Sequence, residues 1–139
     1  MDDLTGVAIW WAPEYVWPDA ARAAQVGLAA GAAVLGPAAW ARCAAVDALT
    51  DALHRRSVAG PHWYLTVLGV APEAQRRGIG SALLAAMCAR LDRERLPAYL
   101  DTGTAANVAY YERRGFVLTA EVRDPVTGLH VRGLRRDPH

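Results

Sequence analysis

Residues His62 to Val70 read His-Trp-Tyr-Leu-Thr-Val-Leu-Gly-Val, and beyond the turn Ala71-Pro72-Glu73 the chain enters Gln75-Arg76-Arg77-Gly78-Ile79-Gly80-Ser81. The first stretch is a strand by composition, rich in β-branched and aromatic residues. Simple alternation predicts Trp63, Leu65 and Val67 on one face and Tyr64, Leu68 and Val70 on the other. Both faces are then apolar and both should be covered by helices. A strand covered in this way belongs to a layered α/β fold. The second stretch opens a helix over Gly78 to about Arg95, with an apolar stripe of Ile79, Leu83, Leu84, Met87 and Leu91 and with Pro97 beyond its end.

The handover between strand and helix carries the strongest chemical signal. Glycines at 78 and 80 let backbone N–H groups approach an anion closely, and an open helix N-terminus presents about half a positive charge to it. Arg76 and Arg77 add mobile cations suited to a polyphosphate. Taken alone, the same residues are equally a glycine-containing turn with two solvated arginines. Two better-known cradles are excluded: there is no Gly-Lys-Ser/Thr of a P-loop and no three-glycine dinucleotide fingerprint. Gly69 is a second signal, because glycine inside a strand costs stability and marks a bulge or a close backbone approach. A bulge there would free backbone groups for an extended ligand that pairs like an added strand. The alternative is tight packing beneath Trp63 or Tyr64.

Working outward, Val7 to Trp11 is a short strand between Gly6 and Pro13, and Asp19 to about Arg56 is helical. Gly36-Pro37 divides that segment into two helices, the second carrying Trp40, Val46, Leu49 and Leu53 and an Asp51/Arg55 pair. Downstream, Ala98 to Asp101 is a strand. Asn107 to Arg114 is a helix, with Asn107 a candidate N-cap and Gly115 suited to a left-handed end. Phe116 to Arg123 and Leu129 to Arg135 are strands about a turn at Asp124-Pro125-Val126-Thr127-Gly128. The predicted order is β-α-α-β-α-β-α-β-β.

Composition narrows the classes further. With 139 residues, 53% hydrophobic and 21% charged, the expectation is one domain over residues 1–139. Fifteen arginines, no lysine and fourteen acidic residues leave a net charge of +1, with no basic tract for nucleic acid. Cys43 and Cys88 lie in Ala-rich helical patterns away from metal-ligand spacing, so neither a disulfide framework nor a metal site is expected, and both are predicted to be small core residues. Met1-Asp2-Asp3 is acidic where a secretory signal would be basic. The uncharged run Ala23 to Ala41 is mostly Ala and Gly and is broken at Gly36-Pro37, too weak for a membrane span. A cytoplasmic protein is the expectation.

The turn Gln75 to Gly80 after Leu68-Gly69-Val70, followed about thirty residues later by Asn107 and Tyr111-Glu112-Arg113-Arg114-Gly115-Phe116, resembles the Gcn5-related N-acetyltransferase (GNAT) superfamily. His62-Trp63-Tyr64-Leu65 and Tyr99-Leu100-Asp101-Thr102 are similar to its puromycin N-acetyltransferase-like branch. The resemblance runs from about Gly6 to Arg136. It implies a mixed, mostly antiparallel central sheet flanked by helices, as in acyl-CoA N-acyltransferases, with the first strand, two helices and second strand of the family preceding the point where this chain starts. Val7 to Trp11 would then be an exposed apolar edge, open to pairing in a homodimer.

The same resemblance implies acetyl-coenzyme A as co-substrate. Pantetheine would lie along Leu68, Gly69 and Val70, pyrophosphate over Gln75, Arg76, Arg77, Gly78, Ile79, Gly80 and Ser81, and Asn107 against the pantetheine arm. Tyr111 would be the general acid near the coenzyme sulfur, and Tyr110 would pack. The chemistry agrees. Attack of an amine on a thioester develops an oxyanion, which the Val70 N–H can serve, and a thiolate, to which a phenol can return a proton. The base candidates are His62, Glu73 and Asp101, with Asp101 favoured because it ends a strand where open α/β sheets place ligands. The expected acceptor is a small-molecule primary amine. A protein amine, or a non-catalytic coenzyme-binding or dimerisation module, is the alternative.

Overall fold

The computed structural model describes residues 4–17 and 30–139. Five strands form one sheet: β1 (Gly6–Trp11), β2 (Trp63–Val70), β3 (Ala98–Thr102), β4 (Val117–Arg123) and β5 (His130–Arg136), in the spatial order β1-β2-β3-β5-β4. Only β2 and β3 are parallel; the other pairs are antiparallel. Among the described residues four helices accompany them: α1 (Gly31–Leu35), α2 (Pro37–Ser57), α3 (Ile79–Glu94) and α4 (Ala105–Glu112). The break at Gly36-Pro37 is present, with Gly36 at φ 77° and proline opening α2, where its missing N–H costs nothing. The predicted helical stretch from Asp19 to Ala29 lies outside the described residues.

The two sides of the sheet are covered unequally. Leu84 and Leu91 of α3 are fully buried against Leu65, Leu100 and Leu134, with Phe116 closing the same core. On the opposite face α2 covers the β3–β5–β4 end, where the His54 ring stacks on Tyr99 at 3.9 Å and 8°. Gly133 of β5 makes that approach close: a Cβ there would lie 2.9 Å from both the Ser57 and Tyr99 hydroxyl oxygens. Nothing comparable covers β1 and β2 on that face among the described residues. Val7, Ile9 and Val67 are 38%, 44% and 42% exposed there.

One irregularity corrects the face assignment made from alternation. Ile9 pairs with Val67 but Trp10 pairs with Leu65, so Thr66 is an extra residue in β2. A one-residue bulge moves every later side chain to the other face. Leu68 and Val70 therefore join Trp63 and Leu65 on the α3 side, where both stand within 4.0 Å of a Cβ built on Gly80. Val67 turns outward instead. The bulge expected at Gly69 is thus three residues earlier, and the packing alternative fails too, since a Cβ on Gly69 would meet only Val7 Cγ1, at 3.8 Å. Cys43 is exposed and Cys88 half-buried, so neither is a fully buried core residue.

Candidate active site

The turn from β2 into α3 is a set of backbone donors held in place. Gln75 donates from Nε2 to the Val70 carbonyl at 3.1 Å, and Ala71 N–H to Thr5 O at 2.8 Å, which fixes where the turn leaves the sheet. Arg76 at φ 60° and Gly78 at φ 85° both occupy the left-handed region. Gly78 is the N-cap of α3 and no side chain caps the helix. The first intrahelical bond runs from Ala82 N–H to Gly78 O, so the N–H groups of Ile79, Gly80 and Ser81 precede the helical ladder. That is the arrangement an anion requires.

From this turn a cavity of about 390 Å³ extends between β2 and α4. It exists because β2 and β3 part. Their parallel register covers Trp63↔Ala98, Tyr64↔Tyr99 and Leu65↔Leu100 and goes no further, leaving the second half of β2 without a neighbour on that side. Antiparallel pairing alternates bonded and non-bonded residue pairs. Since Ala71 bonds Thr5, the pair Gly6/Val70 is non-bonded, and so is Ala8/Leu68. The amides of Leu68 and Val70 consequently point into the gap, as the Gln75 bond to the Val70 carbonyl also requires. The amide of Gly69 points to β1.

α4 supplies the other wall. Thr104 is its N-cap and accepts from Asn107 N–H at 3.3 Å, so Asn107 lies inside the first turn and is not the cap. The Asn107 side chain donates to Thr102 Oγ1 at 2.9 Å. Tyr111 is 9% exposed, edge-on to Phe116 and Tyr110, and lines the cavity. Burial holds its phenol above the usual range, with Tyr110 adding to the shift, so it is protonated at neutral pH. Tyr110 does more than pack: it also lines the cavity, its hydroxyl lying 3.0 Å from a Cβ built on Gly80. The Arg114 guanidinium lies 3.5 Å above the Tyr110 ring and bonds both the Tyr110 carbonyl and Ser81 Oγ.

Asp101 lies on the other face of β3 from Leu100. It accepts from the Tyr64 hydroxyl at 2.7 Å, with Trp11 edge-on to the Tyr64 ring at 6.0 Å. Burial raises the Asp101 carboxyl, against the Tyr64 hydrogen bond that lowers it, while the Tyr64 phenol is raised and keeps its proton. His62 is buried against His54, with Nε2 to Nε2 at 2.7 Å and Nδ1 on Gly60 O, and Glu73 is exposed on the turn Pro72–Ala74.

Among the expected ligand residues, Leu68, Val70, Gln75, Arg76, Gly78, Ile79, Gly80, Ser81, Asn107 and Tyr111 line one cavity. Arg77, Gly69 and Asp101 do not. Tyr64, on Asp101, and Arg114, on Ser81, stand at the site outside the residues expected from the sequence. Arg114 carried a signal, standing one turn beyond Tyr110, whereas nothing local ties Tyr64 to Asp101 thirty-seven residues away. Among the described residues no group of three or more His, Cys, Asp or Glu could hold a metal ion, and no helix is long and apolar enough to cross a membrane.

The acetyltransferase (GNAT) family profile matches residues 7–116. The ribosomal-protein-S18-alanine N-acetyltransferase of Escherichia coli is 25% identical, with TM-score 0.50, over 55% of this chain and 54% of that one. Naa20 of Chaetomium thermophilum, solved with a bisubstrate analogue, is 25% identical, with TM-score 0.50, over 57% and 48%. A Corynebacterium glutamicum structure described as histone acetyltransferase HPA2 and related acetyltransferase shares the fold at 21% identity, with TM-score 0.58, over 99% and 59%. The chain thus spans about half the length of these structures.

Proposed function

The chain belongs to the acetyltransferase (GNAT) family, and from that premise we propose that it transfers an acetyl group from acetyl-coenzyme A to a primary amine of a small molecule. The observation that carries this is the cavity where β2 leaves β3. It joins two turned-in strand amides, an uncapped helix N-terminus and a protonated phenol. The parts suit the coenzyme: backbone donors for its diphosphate, and an unpaired strand edge for the amides of its pantetheine arm. When bound, the coenzyme supplies an activated acetyl thioester.

The residues of the chain do the rest. The N–H groups of Gly78 to Ser81, with Arg76 beside them, hold the diphosphate. Leu68 and Val70 orient the arm through their gap-facing amides, and the Val70 N–H donates to the carbonyl oxygen as charge develops on it. Tyr111 keeps a proton at neutral pH and gives it to the departing sulfur. Asp101, on the face away from α3, takes the proton of the incoming amine. It is held for that purpose by Tyr64.

The near-neutral chain has no acidic tract for a basic peptide, which favours a small acceptor. A protein N-terminus is the second reading, favoured by the 25% identity to an enzyme named for an alanine of ribosomal protein S18. Calorimetric titration with acetyl-coenzyme A, followed by free-thiol release over a panel of small amines and peptides, tests both. Absence of binding at sub-millimolar coenzyme removes the proposal, and thiol release with peptides alone transfers it to a protein acceptor.

A further inference from the structure

Three glycines lie in strands, and two are explained by the fold. A Cβ on Gly6 would stand 2.6 Å from Ile79 Cγ2, and one on Gly133 would strike Ser57 and Tyr99. Gly69 is different. Its φ lies outside the left-handed region, its backbone faces β1, and its nearest neighbour would be in ordinary contact with an added methyl. A glycine inside a strand costs stability, yet nothing among the described residues requires this one.

Its position supplies a reason. A side chain at 69 would project from the face away from α3, beside Val7, and that face also carries Val67, Tyr64 and Asp101. The methyl would stand one peptide unit from the Val70 amide. On the α3 side the gap opens into the cavity lined by Leu68, Val70, Ile79 and Gly80, which the coenzyme would fill, so an acceptor would reach a carbonyl held at Val70 from the face onto which residue 69 opens.

We infer that Gly69 is a clearance position, its missing side chain keeping open the path along which the acceptor amine reaches the Val70 amide and setting how bulky that amine can be next to its nitrogen. This rests on acetyl transfer from a coenzyme held in the β2–β3 gap. A coenzyme held by the amides of Leu68 and Val70 would lie against the face that carries their side chains, whereas a methyl at 69 would stand on the opposite face beside Val7.

The test compares the unaltered protein with Gly69→Ala and Gly69→Val, using acetyl-coenzyme A titration, melting temperature, and thiol release with primary amines graded by branching at the α-carbon. Both variants are expected to bind the coenzyme as the unaltered protein does and to melt no lower. The value of kcat/KM should fall by about tenfold for each methyl added at 69 with branched amines, and far less with unbranched ones. A parallel loss of coenzyme affinity overturns the inference, because Gly69 would then serve the coenzyme. So does a loss independent of amine shape, or none at all. Failure of the unaltered protein to bind coenzyme is a separate result, which removes acetyl transfer itself. Gly69→Ala carries the comparison even if valine unfolds the strand.

Discussion

The buried phenol of Tyr111 and the half-buried one of Tyr64 both hold their protons, and they differ in what they face. Tyr111 opens onto the cavity, so Tyr111→Phe should lower kcat by about a hundredfold or more while the coenzyme dissociation constant barely moves. Steady-state kinetics beside calorimetry separate the two, and equal losses would make Tyr111 a packing residue. Tyr64 faces Asp101, and its hydroxyl is what opposes the upward push of burial on that carboxyl. Removing it in Tyr64→Phe leaves burial unopposed, so the Asp101 pKa rises further. As the proposed base, Asp101 must be ionised to accept a proton, and the acidic limb of the kcat/KM profile should therefore move to higher pH. An unmoved limb would separate Tyr64 from the chemistry.

At the scale of elements, α3 depends on a residue that can start it from the left-handed region. Gly78→Ala meets no neighbour but must hold φ 85°, so it should cost about 1 kcal/mol in urea unfolding and weaken the coenzyme as the turn relaxes. The helix, its stripe and this turn were legible in the sequence because glycine spacing and helical period are local. The hairpin of β4 and β5 was legible for the same reason, with the Asp124 carboxylate accepting from Thr127 N–H at 2.8 Å and Gly128 at φ 72°. The faces of β2 were not, because the bulge at Thr66 depends on how β1 pairs with it, and alternation has no memory of a partner strand fifty-seven residues earlier. Asn107 and Thr104 show a milder case. Both can cap a helix, and only the backbone decided that Thr104 does.

For the whole molecule, the His54–His62 pair ties α2 to the foot of β2, beneath Trp17 and against Tyr99 and Tyr64. Burial lowers both histidines, His54 to about 3 with the neighbouring His62 and Arg55 contributing, against the ordinary 6.5. Folding therefore excludes protons that the unfolded chain takes up below pH 6.5. Stability is intact above that pH and falls as the pH drops toward 3, with a slope of about 1.4 kcal/mol per pH unit for each histidine kept neutral. Denaturant titrations at pH 7 and pH 5 check this, and His54→Gln should flatten the difference. The sequence marks His62 as a base candidate but gives no sign of its pairing with His54, since that pairing spans a helix end and a strand start.

The parting of β2 from β3 has a mechanical side. One portion of the molecule, β1 and β2 with α3, is stitched to the other, β3, β5 and β4 with α2, by three rungs of parallel ladder, a shared oily centre and side-chain bonds such as Tyr64–Asp101, His54–His62 and Arg136–Asp92. A molecule that slips amides into the open end supplies the absent rungs and turns a half-fastened zip into a closed one. Hydrogen–deuterium exchange should then slow at Leu68 and Val70 and also across the far strands, and saturation at a hundred times the dissociation constant should add about 2.7 kcal/mol to unfolding.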